Sequence, residues 1–187
     1  SVSMGHNRCK VYSLVDVDCI SLPSMIRPYT NIEVNNTEMP VDLVSAIDSI
    51  PNADTVVYNQ VIFLPNQKRE LSLLDKKKNR HASIPNPSNQ AAVEDIKRVQ
   101  EVIARESKQL VYSHFNLIVA VSGDTDLQKC TNHLESAFGR MGIHISKRAY
   151  NQLELFVGSF PGNCYSLNEE YDRFLTLSDA AMCLMYK

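Results

Sequence analysis

The sequence predicts an α+β fold, and three observations carry that prediction. Two runs, Thr55–Leu64 (TVVYNQVIFL) and Tyr112–Ser122, are dense in β-branched and aromatic residues, the composition of strands. Between them, Gln67–Arg80 is built of good helix formers around Leu71 and Leu74. Ala91–Leu110 then repeats Ala92, Ile96, Val99, Ile103 and Leu110 at spacings of three, four and seven, the period of a helix face. A chain of 187 residues with 44% hydrophobic content is long enough for one sizeable core and short enough for a single domain.

In chain order, Val11–Ile20 mixes apolar residues with Tyr12, Ser13, Asp16 and Asp18 in imperfect alternation, which predicts an edge-like strand. Pro23, Pro28 and Asn35-Asn36 mark an irregular connection. Pro40 sits where a short helix can start, ahead of Val41, Leu43, Val44 and Ile47, with Pro51 ending it. Thr55–Leu64 stops at Pro65 and predicts a largely buried strand. The SIPNPSN stretch separates the helix 67–80 from the long amphipathic helix 91–110. In Tyr112–Ser122, Phe115, Leu117, Val119 and Val121 share one face and Ile118 and Ala120 the other, so both faces are covered and the strand is central. Thr125 or Asp126 can cap a helix carrying Leu127, Cys130, Leu134, Phe138 and Met141, terminated by Gly142. A short strand Ile143–Ile145, a helix Tyr150–Ser159 and a closing helix Ser178–Tyr186 complete the reading. This order predicts split β-α-β units, close to a ferredoxin-like arrangement, in which long amphipathic helices cover the sheet.

Composition excludes several function classes. Net charge is −2 and charged residues make up 21%, so neither disorder nor a wholesale nucleic-acid footprint is indicated. The five cysteines, Cys9, Cys19, Cys130, Cys164 and Cys183, form no CxxC pair, which suits a reducing compartment, and His6 with Cys9 lacks the further ligands that a metal needs. No apolar run approaches a bilayer span, and the first residues lack the apolar stretch of a secretory signal. A Ser ahead of an internal Met reads as a cut-out segment.

No GxxxxGK[ST] loop, dinucleotide fingerprint or GxSxG elbow is present, so the sequence predicts no catalytic site in this chain. The carboxylate pairs Asp16/Asp18 and Glu169/Glu170 read most simply as alternation and surface turns. His81, His114, His133 and His144 fall on separate elements, as hydrogen-bonded or exposed histidines. The one charge run holds Lys76, Lys77, Lys78 and Arg80. Residues 66–148 carry fourteen Lys and Arg against nine Asp and Glu, net +5, and the remainder five against twelve, net −7. These four cations are the candidate docking residues for an acidic protein or an anionic membrane surface, set against a solvated helix end. The loop Phe160–Asn163 is the candidate structural motif. In it Pro161 fixes its predecessor in an extended shape, Gly162 supplies a backbone angle closed to other residues, and Asn163 follows.

Three strings, YNQVIFLPNQKRELSLLDKKKNRHASIPNPSN, VEDIKRVQEVIARESKQLVYSHFN and HLESAFGRMGIHISKRAYNQLELFVGSFPGN, resemble the TraG family of conjugative-transposon ATPases, within the type IV secretion ATPase class that powers conjugation. The similarity runs from about Val11 to Lys187. In that class a helix, a β-branched strand, a second helix ending in a Gly such as Gly142, and Pro161-Gly162-Asn163 recur ahead of the nucleotide site. The family's P-loop core lies further downstream, and residues 1–187 contain no such motif. The resemblance therefore implies a single non-catalytic domain from the N-terminal region of a larger ATPase, truncated before the P-loop domain. It implies docking and assembly against translocon proteins at the inner face of the cytoplasmic membrane, self-association of the full-length protein, and no direct DNA binding. ATP and Mg are expected only in the downstream domain. The alternatives are a free-standing ferredoxin-like binding or regulatory domain, and a hydrolase using a Cys or His.

Overall fold

The computed structural model describes residues 1–13, 29–34, 37–42, 47–122, 127–146 and 150–183. The chain is α+β, as the sequence predicts. Its strands are β1 (Val2–Met4), β2 (Asn7–Ser13), β3 (Tyr29–Val34), β4 (Thr37–Asp42), β5 (Thr55–Phe63), β6 (Leu110–Ser122) and β7 (Phe174–Leu177). Its helices are α1 (Gln67–Ala82), α2 (Pro87–Glu106), α3 (Leu127–Arg140), α4 (Gln152–Gly158) and α5 (Ser178–Cys183).

The main sheet is organised by β6. β5 pairs along one side of it, from Thr55↔Ala120 to Phe63↔Tyr112. β2 and β7 share the other side, from Asn7↔Ser122 to Ser13↔Asn116 and from Leu110↔Leu177 to Ser113↔Phe174. Every described pairing is antiparallel. β2 and β5 thus run parallel with β6 inserted between them. The long helices, however, do not join this parallel pair. Each helix reverses the chain, so α1 and α2 in succession return it beside its own starting strand, and they link the antiparallel neighbours β5 and β6.

Alternation along β6 builds two cores. Phe115, Leu117, Val119 and Val121 meet Tyr12, Ile47, Ile50 and, from α3, Cys130, Leu134 and Phe138. On the opposite face Ile118 and Ala120 meet Cys9, Val11, Leu155 of α4 and Leu167. The sheet is therefore covered by α3 and α4, and the expectation that the long amphipathic helices cover it is corrected. In α1 only Glu70 is buried and in α2 only Ile96, and the two helices pack chiefly against each other.

Several boundaries also differ from the expectation. β2 starts at Asn7 and is internal, since a two-residue Gly5-His6 loop folds β1 onto its far side. Gly5 has φ +62°, the first-position angle that a type II′ turn gives to glycine, and residues 14–20 lie outside the described residues. Pro40 lies in β4 opposite Asn31 rather than starting a helix. A two-stranded sheet consists of edges, where the missing N–H of proline is tolerated, and residues 43–46 of the expected helix lie outside the described residues. β5 is half-buried rather than largely buried, with Val57 and Ile62 exposed, since among the described residues it pairs on one side only. Leu110 opens β6 instead of closing α2: Ser107 adopts φ +53° and stops the helix. Ile143–Ile145 forms no described strand, only a bridge between Ser146 and Ser13. β7 has no counterpart in the expected order of elements. The caps Thr125 and Asp126, and residues 184–187 of the closing helix, lie outside the described residues.

Candidate functional site

The hairpin α1–α2 stands in the place of a β-turn between β5 and β6, and local chemistry defines its ends. Pro65 stops β5. Asn66 caps α1, its Oδ1 accepting the Arg69 N–H at 3.2 Å. At the tip, Ser83 receives the end of α1 through its N–H to the Asn79 carbonyl, and Asn86 caps α2, accepting the Asn89 N–H at 2.8 Å, with Pro87 at the first helical position. His81 Nδ1 donates to Asn89 Oδ1 at 2.8 Å, and Asn89 Nδ2 donates to the Ile84 carbonyl at 2.7 Å. Of the breaker read from the sequence, residues 83–86 form this cross-braced turn, while Pro87, Ser88 and Asn89 already belong to α2, which starts four residues ahead of the expected Ala91.

At the base, the Gln67 side-chain amide continues the sheet where β5 stops. It accepts the Leu110 N–H at 2.9 Å and donates to the Leu110 carbonyl at 2.8 Å, as one rung of a strand would. Beside it Tyr112 donates its hydroxyl to the buried Glu70 carboxylate at 2.9 Å. Burial, followed by this hydrogen bond, pushes the Tyr112 pKa up. A cavity of about 360 Å³ opens here, floored by Glu70, Tyr112 and Arg173 and rimmed by Leu64, Pro65 and Leu73. Arg173 is fixed in its wall, with its guanidinium 3.7 Å over the Phe63 ring centre and bonded to Glu169 at 3.3 Å and to the Leu167 carbonyl at 3.0 Å.

The four cations read from the sequence divide into two roles. Lys78 faces α2 and binds Asp75 at 2.8 Å and Gln100 at 2.9 Å, while Gln100 in turn donates to Asp75 at 2.9 Å. The Lys78 and Gln100 hydrogen bonds hold the Asp75 carboxyl below its usual range. Lys78 is therefore a brace between the helices. Lys76, Lys77 and Arg80 are exposed and, with Arg69, make no ion pair among the described residues. Arg69, Leu73, Lys76, Lys77 and Arg80 recur at three and four residues and form one outward stripe. Residues 67–82 hold six cations against two carboxylates.

Phe160–Asn163 closes a turn through the Asn163 N–H to the Phe160 carbonyl at 3.0 Å, with Pro161 second and Gly162 third at φ +87°. That is the residue pattern of a type II turn. The turn contributes nothing to the wall of the basal cavity, so the two motifs singled out in the sequence are separate features.

Sequence reasoning does not find the polar chain beneath the sheet. His114 is fully buried, its Nδ1 donating to the Asp172 carbonyl at 2.6 Å while its Nε2 accepts from Asn116 Nδ2 at 2.9 Å. Asn116 Oδ1 accepts from Ser159 at 3.0 Å. Desolvation pushes the His114 pKa down, and the neutral ring ties β6 to α4 and to the segment before β7. Nor does it find the basal cavity, whose residues Glu70, Tyr112, Glu169 and Arg173 come from three distant parts of the sequence. Among the described residues no group of three or more His, Cys, Asp or Glu converges as a metal site, and no helix is long and apolar enough to cross a membrane. No family model matches the chain, and no curated protein matches it.

Proposed function

We propose that this chain is a docking and assembly domain of a conjugative-transfer ATPase, and that the α1–α2 hairpin is its docking element. In this reading ATP and Mg act in a downstream domain, and the hairpin engages translocon components at the inner face of the cytoplasmic membrane. The observation that carries the reading is the way the hairpin is spent. Thirty-six helical residues, sixteen in α1 and twenty in α2, bury only Glu70 and Ile96, and they leave a basic stripe without ion-pair partners among the described residues. Neither hydrophobic core contains a residue of the hairpin. An element of that length that contributes so little to the core is explained by contact with another molecule. The resemblance of the strings at 58–89, 93–116 and 133–163 to TraG-type ATPases supplies the biological setting.

The structure-guided test is the substitution of Lys76, Lys77 and Arg80 by Glu in the full-length protein, with Lys78 kept because it braces the hairpin. Docking predicts lost membrane-fraction association and lost DNA transfer in the variant, and salt-sensitive association in the parent, because exposed charges are screened beyond about 8 Å at physiological ionic strength. Unchanged transfer and localisation would return these residues to the category of solvated helix surface.

A further inference from the structure

We infer that the outward stripe of α1 and the cavity at its base form one composite site for an acidic amphipathic helix of a partner protein, with a large apolar side chain of that helix seated in the cavity. The inference rests on the docking reading of α1 and specifies its occupant.

Two observations define the chemistry. Arg69, Lys76, Lys77 and Arg80 line one helix face, spanning about 16 Å at the rise of an α-helix, which is three turns of a partner. Within and beside that line stand large apolar residues facing water: Leu73 is 44% exposed and Leu64 is 76% exposed. Both rim the 360 Å³ cavity, and Phe63 and Pro65 continue its apolar wall. Cations interleaved with apolar groups complement a helix that carries Asp or Glu at three- and four-residue spacing around one anchor.

The cavity also separates a protein occupant from a membrane. A single apolar side chain can fill such a recess and exclude water from the surrounding contacts, which is what an anchor residue on a docked helix supplies. Glu70 and Glu169 line this recess together with Arg69 and Arg173, so its charges balance and give an anionic leaflet no net attraction there. They do not oppose an anchoring Leu, Phe or Tyr, and a Tyr hydroxyl would find the Glu70 and Tyr112 oxygens as hydrogen-bond partners. The stripe itself carries one apolar residue, Leu73, short of the broad apolar face that lies in a bilayer interface.

The test is selection of a displayed library of short helix-forming peptides, random at their surface positions, against the 1–187 chain. The expected winners are enriched in Asp and Glu at three- and four-residue spacing around one large apolar residue. Their affinity falls about tenfold or more for Lys76→Glu/Lys77→Glu/Arg80→Glu, and by a similar factor for Leu73→Asp, losses typical of interface hot spots. Exchanging the peptide carboxylates for Lys restores binding to the charge-reversed chain. Leu73→Ser and circular dichroism of each variant separate lost contact from lost fold. Winners without acidic enrichment, winners indifferent to these substitutions, or no winners would overturn the inference. So would phosphatidylserine vesicles that bind the chain and lose it on Leu73→Asp while no peptide does. Such results would leave the role of the hairpin in transfer to be judged separately by the full-length assay.

Discussion

His114 shows how one buried ring links packing to pH. Its ring is neutral in the folded chain because burial disfavours the imidazolium, while in the unfolded chain it titrates near 6.5. Between the depressed folded value and 6.5 the unfolded chain binds more protons, so stability is complete above about 6.5 and falls as pH drops through that window. Urea titrations at stepped pH should show this slope, and His114→Gln should flatten it at the cost of a lower plateau. A slope unchanged in the variant would assign the pH dependence to other groups. Gly162 is a second residue-scale test. At φ +87° a side chain is strained even though no atom lies within 4 Å of the point where its Cβ would stand. Gly162→Val should lower stability by about 1–3 kcal/mol through backbone strain alone, read as a reduced melting temperature. An unchanged midpoint would mean that the turn relaxes freely and is not a structural constraint. Gly158 differs in mechanism, because a Cβ there would stand 2.9 Å from Leu167 Cδ2 in the second core.

At the scale of elements, the hairpin is held by side chains that imitate backbone. Gln67 supplies the rung that β5 lacks at Leu110, and Gln152 does the same for β2, accepting the Val11 N–H at 2.8 Å and donating to its carbonyl at 2.6 Å. Gln67→Ala leaves the Leu110 N–H and carbonyl without that partner, at a cost of about 1–3 kcal/mol for buried groups. Hydrogen exchange should therefore quicken at Leu110 and in the first turn of α1 while α3 stays protected. Exchange unchanged at Leu110 would show that the rung is replaceable by water. The tip follows the same logic: Asn86→Ala removes a cap worth about 1 kcal/mol and should fray only the start of α2. Fraying that spread to β6 would contradict the independence of hairpin and sheet.

For the whole molecule, the two cores enclose β6 between α3 and α4, and the hairpin belongs to neither. Replacing residues 66–109 by a short Gly/Asn linker should therefore leave a folded domain. Near-UV circular dichroism and a cooperative unfolding transition would be retained, with partner binding abolished. Loss of cooperative unfolding would show that α1 and α2 are part of the core and would remove the main support for a docking role.

The α+β class, the central strand β6, both long helices and the breaker between them are all legible in the order of residues. Those features are local: period, capping residues and β-branched density act within a few residues and need no distant partner. β6 reads even as a central strand, because Phe115, Leu117, Val119 and Val121 alternate in plain view with Ile118 and Ala120. What α1 and α2 cover is settled only by folding. An amphipathic stripe states that a helix must bury one face, not against which element, and here α1 and α2 pack chiefly against each other. The basic run is visible as composition, but only the folded chain divides it, turning Lys78 inward to Asp75 and Gln100 and leaving Lys76, Lys77 and Arg80 outside. The cavity that gives those cations a neighbouring anchor site joins residues 63–73 to Tyr112, Glu169 and Arg173. Separations of that length carry no periodic signal, so they become adjacent only when β6 and the segment before β7 close the sheet.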